Sequence, residues 1–246
     1  MARLGNGSLM PPSGRTLSVV VPALNEEANL ALAVAEIQEQ VPRHFDDYEI
    51  LIIDDGSTDR TGAVADALAA GAPRVKAFHN GVNRGLGFSY FRGVAEASKE
   101  YVVLVSGDRE NSLEGMAPMW PLLGSADIIV PHTANARIRS RFRRAVSLFG
   151  TRVLNVLFGL DLLCYTGTVV HRTAVLRTVR VESADFLYQA ETLVRLARRG
   201  CSIREVGVDI RVRSSGRSKM FRPRNLWGMA CTVVRVVWKI RILDRP

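Results

Sequence analysis

The chain has 246 residues, 47% of them hydrophobic and 23% charged, so it is long enough to bury a sizeable core and too apolar to be disordered. Its formal net charge of +9 favours anionic partners: nucleic acid, phosphorylated small molecules or an anionic membrane surface. The three scattered cysteines, Cys164, Cys201 and Cys231, match neither a zinc site nor a disulfide framework, which predicts a reducing compartment and a cytoplasmic location.

The two ends of the chain differ in composition from its middle. Residues 1–16 are rich in Gly, Pro and Ser and lack the apolar core of a signal peptide, so we expect a disordered lead-in. A globular domain is expected over residues 17–224. Residues 225–246 predict a basic amphipathic helix, since charged side chains interrupt the run of roughly 18 apolar residues that a membrane span requires. This helix either packs on the domain or lies in a membrane interface.

Apolar, β-branched runs alternate with helix-like segments in the first half of the chain. Strands are predicted at residues 17–22, 48–53, 74–79 and 101–105. A helix follows each of the first three strands: one over about 27–39, one that Ser57 or Thr58 caps and that ends at about 70, and one that begins after the glycine-rich turn at 83–87 and ends at 98. Beyond residue 108, strands are predicted at 126–131, 166–171 and 202–213. A helix is predicted after the basic cluster 137–144, through about residue 158, and residues 185–199 form an amphipathic segment. The alternation predicts an α/β fold, with a mostly parallel sheet flanked by helices on both faces.

Polar turns follow the strands of this sheet, and ligands of such sheets collect beyond the carboxyl ends of the strands. Asp54 and Asp55 end the second strand, where their carboxylates can accept hydrogen bonds from a base or ribose, and Gly56 lets the backbone approach a ligand. The alternative is a helix cap with a bystander acid. Gly85 and Gly87 open a helix and either receive a phosphate or ease helix–strand packing.

Two acids, Asp108 and Glu110, follow the fourth strand. Carboxylates that bracket a turn suit a divalent cation that also binds substrate phosphates and neutralises a leaving pyrophosphate. The alternative interpretation is a solvated turn.

Basic side chains follow in two groups. The first is a dense cluster of arginines. If this segment is helical, Arg143 and Ser147 lie on one face, which can hold phosphate. The second, with Arg213, Ser218 and Lys219, lies on a polar loop that can close over a site. The first group consists of Arg137, Arg139, Arg141, Arg143 and Arg144. A solvated basic face or a nonspecific membrane contact is the alternative.

Taken in order, these motifs resemble the family-2 glycosyltransferases with a GT-A, Rossmann-like fold, and among them the polyprenyl-phosphate, dolichol-phosphate mannosyltransferase-like branch. The matching motifs are Pro22-Ala23-Leu24-Asn25-Glu26, Asp54-Asp55-Gly56-Ser57-x-Asp59-x-Thr61, Asn83-Arg84-Gly85-Leu86-Gly87 and Arg213-x-x-Gly216-x-Ser218-Lys219. The resemblance extends over almost the whole chain.

The resemblance implies a role for each matching residue. Binding of the nucleotide is implied for Pro22, Ala23, Asn25, Glu26, Asp54, Asp55, Gly85 and Gly107. Binding of the acceptor phosphate or the donor pyrophosphate is implied for Arg139, Arg143, Ser147, Arg213, Ser218 and Lys219. Catalytic roles are implied for Asp108, Arg213 and Glu191, the last at a position where related enzymes often carry an acid close to the sugar.

One departure from the family pattern concerns the cation, Mg²⁺ or Mn²⁺. Ser106 stands where the family usually has the first acid of its metal motif, which leaves Asp108 and Glu110 as the expected ligands. Fewer anionic oxygens weaken a site for a hard cation. Three outcomes are open: a metal held by these acids and the pyrophosphate, a metal-poor site aided by Arg109, or an inactive relative.

The expected activity is inverting transfer of a sugar from a nucleotide-diphosphate sugar to a polyprenyl phosphate, on the cytoplasmic face of a membrane to which the protein binds peripherally. The alternatives are transfer to a soluble hydroxyl acceptor, such as a saccharide, with Glu191 as base, and a nucleotide-sugar-binding protein without catalysis. Nucleic acid is not expected as a partner, because the chain lacks the interleaved aromatic and basic residues of a recognised binding module.

Overall fold

The computed structural model describes residues 14–107, 113–135, 141–183 and 187–209, with the backbone alone for 141–143. The strands are β1 (Thr16–Ala23), β2 (Asp47–Asp54), β3 (Val75–His79), β4 (Tyr101–Leu104), β5 (Ile128–Thr133), β6 (Val170–Arg172) and β7 (Ile203–Val208). The helices are α1 (Leu30–Gln40), α2 (Thr61–Gly71), α3 (Leu86–Glu96), α4 (Arg141–Phe158), α5 (Thr173–Leu176) and α6 (Tyr188–Arg198). Short 3-10 helices lie at Val41–Arg43 and Glu114–Leu122.

The strands form one seven-stranded sheet in the order β3-β2-β1-β4-β6-β5-β7. All adjacent pairs are parallel except those that involve β6, which runs antiparallel to both β4 and β5. The predicted α/β class with a mostly parallel sheet is confirmed, and β7 lies at one edge of the sheet.

Helices cover both faces of the sheet because its central strands are apolar on both sides. Val19 and Ile50 face one core, which they share with α1 and α2, whereas Val20 and Leu51 face a second core under α3 and α6. The α3 helix lies close to β1 at Gly93, where an added Cβ would be only 2.4 Å from Cγ1 of Val20. A glycine is therefore required for this helix to reach the sheet.

The starts of the first two helices differ from the prediction. The α1 helix begins at Leu30 instead of about residue 27, because residues 27–29 form a turn in which the Glu26 carbonyl accepts a 3.0 Å hydrogen bond from Asn29 N. The predicted cap of α2 at Ser57 or Thr58 is wrong, since the helix begins at Thr61. The Asp59 carboxylate accepts a 2.9 Å hydrogen bond from the Thr61 amide instead.

Strands in the second half also differ in their bounds. The segment predicted as a strand from 166 to 171 is extended only from Val170, because Gly167 has a φ of +129° and its carbonyl accepts a bond from Val169 N. The β5 strand is shifted by two residues relative to its prediction, and β7 ends at Val208. The 3-10 helix Glu114–Leu122 was not predicted; it contains Pro118 and Pro121, which cannot donate to a regular helix.

Residues 1–13 and 210–246 lie outside the described residues, so the disordered lead-in and the C-terminal amphipathic helix stay predictions. Over the described ranges, no helix combines the length and the apolar character that crossing a bilayer requires.

Candidate active site

The carboxyl ends of β3, β2, β1 and β4 are neighbours in the sheet, so the loops that follow them meet at one edge. Backbone hydrogen bonds tie these loops together. The amide of Asp55 donates to the Ala23 carbonyl at 2.8 Å, and that of Asn80 donates to the Asp54 carbonyl at 2.9 Å. The amide of Gly107 approaches the Pro22 carbonyl at 3.4 Å, so the end of β4 joins the same edge.

The Asp55 carboxylate is buried and holds the loop before α3. One oxygen accepts from Asn80 Nδ2 at 2.7 Å and from the Arg84 amide at 3.0 Å, and the other accepts from the Gly85 amide at 2.9 Å. Such bonds to an ionised acceptor are about twice as strong as neutral ones. The glycine turn that opens α3 is therefore anchored to the end of β2 by a single side chain.

The neighbouring Asp54 carboxylate closes its own turn. Its Oδ1 accepts a 3.0 Å hydrogen bond from the Ser57 amide, and its Oδ2 lies 3.0 Å from Nδ1 of His79. Burial by itself would raise the pKa of Asp54, but the bonds from Ser57 and His79 outweigh it and hold that pKa below its ordinary value. This carboxylate stays ionised at neutral pH.

Gly56, between this acidic pair and Ser57, takes a conformation that other residues avoid. Its φ is +74°, and a Cβ added to it would lie 2.4 Å from the carbonyl carbon of Val82. Both the backbone angle and the close approach of the loop after β3 therefore require glycine here.

The loop after β1 is joined to the loop after β2 by side chains. Asn25, with a φ of 55°, accepts a 2.9 Å hydrogen bond from the Thr58 amide at its Oδ1, and its own amide donates to the Ser57 hydroxyl at 3.0 Å. The Glu26 amide donates to the Thr61 hydroxyl at 2.8 Å. Asn25 and Glu26, both predicted to bind the nucleotide, thus join the loop after β1 to the loop after β2.

No role was predicted from the sequence for three residues of this edge: His79, Asn80 and Thr61. Each acts through a hydrogen bond to a predicted residue, Asp54, Asp55 or Glu26. The signal for the first two was their place at the end of the third strand, beside the second.

The predicted metal ligands and much of the predicted phosphate-binding set lie outside the described residues: Asp108, Glu110, Arg139, Arg213, Ser218 and Lys219. Ser106 is partly exposed and Gly107 is buried beside the first loop. Arg143 belongs to α4, and Ser147 is exposed on the same helix. Among the residues that the structure does describe, no group of three or more His, Cys, Asp or Glu side chains is placed to hold a metal ion.

Glu191 lies on α6, away from these loops in sequence, and its side chain is buried. Its carboxylate accepts hydrogen bonds from the Ser183 hydroxyl at 2.6 Å, from the Ser183 amide at 3.0 Å and from Arg195 Nε at 2.8 Å. These bonds tie the segment that precedes α6 to the helix.

Comparison with known proteins places the sequence in one protein family. The model of "Glycosyl transferase family 2" matches residues 18–187. An undecaprenyl-phosphate mannosyltransferase of Micrococcus luteus is 28% identical over 215 residues, which are 82% of this chain and 86% of that protein. A polyprenol monophosphomannose synthase of Mycolicibacterium smegmatis is 31% identical over 227 residues, with 85% and 82% covered.

Solved structures share the fold. The glucosyl-3-phosphoglycerate synthase of Mycobacterium tuberculosis superposes with a TM-score of 0.66 at 23% identity, over 92% of this chain and 80% of that one. The same enzyme in complex with Mn²⁺, uridine diphosphate and glucosyl-3-phosphoglycerate gives a TM-score of 0.63. At this identity the likeness establishes the GT-A-like fold.

Replacing Gly56 with alanine should destabilise the protein by about 1–3 kcal/mol, since the added Cβ meets the loop after β3 and the backbone stays left-handed. The matched control is Gly71→Ala at the end of α2, where a Cβ has open space and alanine favours the helix. Urea denaturation measures both variants. Equal stability of Gly56→Ala and the wild-type protein would contradict the described loop packing.

Proposed function

This chain belongs to glycosyl transferase family 2, and from that membership we propose that it transfers a sugar from a nucleotide-diphosphate sugar to the phosphate of a polyprenyl lipid. The observation that carries the proposal is the pair of relatives that match over four-fifths of the chain, both of which are named for a polyprenyl-phosphate mannosyl product or acceptor. We assign the transfer to a domain of residues 17–224 and membrane contact in part to residues 225–246.

The loops at the ends of β1, β2 and β3 supply the donor half of the proposed site. We assign the nucleotide to Pro22, Ala23, Asn25, Glu26, Asp54, Asp55, Gly85 and Gly107, which meet at this edge. A carboxylate offers about four acceptor positions, so Asp54 and Asp55 keep acceptor capacity beyond the bonds that they receive from the chain. Their first role is to fix the shape of the edge, and their second is to accept from base or ribose.

A lipid phosphate supports a mechanism without a general base. An oxygen of the phosphate, already anionic, attacks the anomeric carbon, and the nucleoside diphosphate leaves from the opposite face, so the configuration inverts. Glu191 is not needed as a base in this reaction, and its carboxylate already accepts hydrogen bonds from Ser183 and Arg195. In this reaction the protein positions two anions and stabilises charge.

The residues proposed to hold the phosphates are basic or hydroxylic: Arg139, Arg143, Ser147, Arg213, Ser218 and Lys219. Arg143 and Ser147 both belong to α4, four positions apart in the sequence. One guanidinium group can bind two phosphate oxygens at once, which suits a lipid phosphate better than a neutral hydroxyl acceptor.

A divalent cation, Mg²⁺ or Mn²⁺, is proposed at Asp108 with Glu110. The contact of Gly107 with the Pro22 carbonyl brings the chain to the nucleotide edge directly before Asp108. Ser106 offers a neutral oxygen where an acid would bind a hard cation more strongly, so the donor pyrophosphate must complete the site. When bound, the cation would stabilise the negative charge of the leaving diphosphate. The structural neighbour described with Mn²⁺ and uridine diphosphate supports this assignment.

The α4 helix supports the proposed peripheral binding to an anionic membrane. Phe149 and Val156 are 72% and 79% exposed, and Leu148 is also exposed. Arg152 is exposed on the same face, since it lies four residues from both Leu148 and Val156. Exposed apolar side chains next to a cation suit the boundary between lipid headgroups and acyl chains.

The acceptor is tested by incubating the protein with undecaprenyl phosphate or undecaprenol, labelled GDP-mannose or UDP-glucose, and Mg²⁺ or Mn²⁺. We expect a labelled glycolipid from the phosphate alone. Asp108→Asn should lower kcat by about a hundredfold or more, since the cation loses its main anionic ligand. The control, Asp161→Asn, replaces an exposed acid and should keep full activity.

Two results would contradict the proposed acceptor. Transfer only to free saccharide hydroxyls would establish a soluble acceptor. Nucleotide-sugar binding without turnover on any acceptor would establish a binding protein without catalysis.

The membrane contact is tested with the double variant Phe149→Ser/Val156→Ser, assayed by co-sedimentation with phosphatidylglycerol vesicles. Loss of two exposed apolar side chains should weaken vesicle binding about tenfold or more. Leu32→Ser on α1, where the leucine is 53% exposed, is the control and should bind as wild type does. If the double variant binds vesicles as tightly as the control, α4 does not contact the membrane.

A further inference from the structure

His79, the last residue of β3, lies between two carboxylates. Its Nδ1 is 3.0 Å from Oδ2 of Asp54, and its Nε2 is 3.0 Å from Oδ1 of Asp66 on α2. A neutral imidazole has one N–H and one bare nitrogen, so it can donate to only one of these oxygens. Two donated bonds require the protonated ring, and the hydrogen bonds that the ring donates to Asp54 and Asp66 accordingly raise the pKa of His79 against the opposing effect of burial.

The two carboxylates differ in their freedom to move. The side chain of Asp54 is 9% exposed, whereas that of Asp66 is 65% exposed. Space around the buried oxygen is narrow, because a Cβ added at Gly62 would lie 3.0 Å from Oδ2 of Asp54. The Asp54 carboxylate is therefore held between His79 and the Ser57 amide, whereas Asp66 can turn to water.

The backbone of His79 is held from the other side. Arg92 on α3 donates through Nη1 to the His79 carbonyl at 2.5 Å and to Oδ1 of Asn80 at 2.6 Å. Asn80 in turn donates to Asp55, so the end of β3 is fixed to the same edge. The imidazole thus extends from a fixed backbone toward Asp54.

We propose that His79 is a positioning residue of the nucleotide site: its imidazolium orients the Asp54 carboxylate, whose other oxygen holds the Ser57 amide, and links it to α2. The inference rests on the proposed nucleotide role of this edge. His79 does not itself contact the donor in this account. It acts through Asp54 and the turn that Asp54 closes.

The arrangement makes nucleotide binding depend on pH. The charged groups that face His79 are Asp54 from β2, Asp66 from α2 and Arg92 from α3. Below the raised pKa of His79 both bonds are present; as the pH rises through that pKa, one N–H and the positive charge are lost. Affinity for the nucleotide is therefore full at the lower pH and falls as the ring becomes neutral.

Two substitutions of similar size distinguish a His79 side chain that orients Asp54 from one that only fills space. The amide nitrogen of asparagine occupies the place of Nδ1, whereas that of glutamine reaches the place of Nε2. His79→Asn keeps a neutral donor to Asp54 without the positive charge, so it should bind UDP and GDP within about twofold of the wild-type protein at high pH, without a pH dependence. His79→Gln should bind them roughly fivefold or more weakly.

The measurements are calorimetric titrations with UDP and with GDP, each with Mg²⁺, between about pH 5.5 and 8.5, and an NMR titration of the His79 ring. Asp66→Asn, at an exposed position, tests the link without disturbing the core. This variant should lower the pH at which the His79 ring is half protonated. The pH at which nucleotide affinity falls should decrease by the same amount.

Three outcomes would overturn the inference while leaving the proposed function standing. They are equal binding by His79→Gln, His79→Asn and the wild-type protein, wild-type affinity that stays constant through the His79 titration, or a midpoint that Asp66→Asn leaves unchanged. Failure of the wild-type protein to bind either nucleotide at any pH would instead overturn the proposed function, and the inference with it.

Discussion

The carboxylate of Asp55 is the constraint on which the candidate site depends. Its side chain accepts three hydrogen bonds from Asn80, Arg84 and Gly85, while its backbone amide donates to the Ala23 carbonyl. One buried residue thereby connects the end of β1, the end of β3 and the start of α3. Removing an acceptor from this position would take away a hydrogen bond that Asn80, Arg84 or Gly85 donates, and with it a contact that holds the loop before α3.

Around this anchor, the loops are held by side chains instead of regular secondary structure. Asn25 and Gly56 take left-handed backbone angles, and Asn25 contacts both Ser57 and Thr58. Such strained positions persist only where neighbouring contacts determine them, and they cluster at ligand-binding sites. The residues that we propose to bind phosphate either belong to α4 or lie outside the described residues.

Much of the fold follows from local sequence pattern. The strands β1 and β2 are continuous apolar runs that end in polar turns, and this pattern alone predicts a parallel sheet with ligands at one edge. The antiparallel β6 could not be derived in this way, because a three-residue strand is defined by its partners β4 and β5. The start of α1 was also missed, since Glu26 and Asn29 stabilise a turn that looks like a helix start.

The candidate site was predictable to a similar degree. The positions of Asp54 and Asp55 at a strand end are visible in the sequence, but their partners come from residues up to 30 positions away. His79 and Asn80 belong to no motif, and only the packing of β3 beside β2 brings them to these acids. Placement of Asp108 and Arg213 stays a prediction because they lie outside the described residues.

The most direct test of the central claim is the affinity of Asp55→Asn for UDP and GDP, measured by calorimetry beside Asp46→Asn, which changes an exposed acid before β2. The amide cannot accept hydrogen bonds at both of its ends, so the loop before α3 loses at least one anchor. We expect a folded protein that binds its preferred nucleotide about tenfold or more weakly, with Asp46→Asn unchanged. Undiminished binding by Asp55→Asn would contradict the account that this carboxylate builds the nucleotide site.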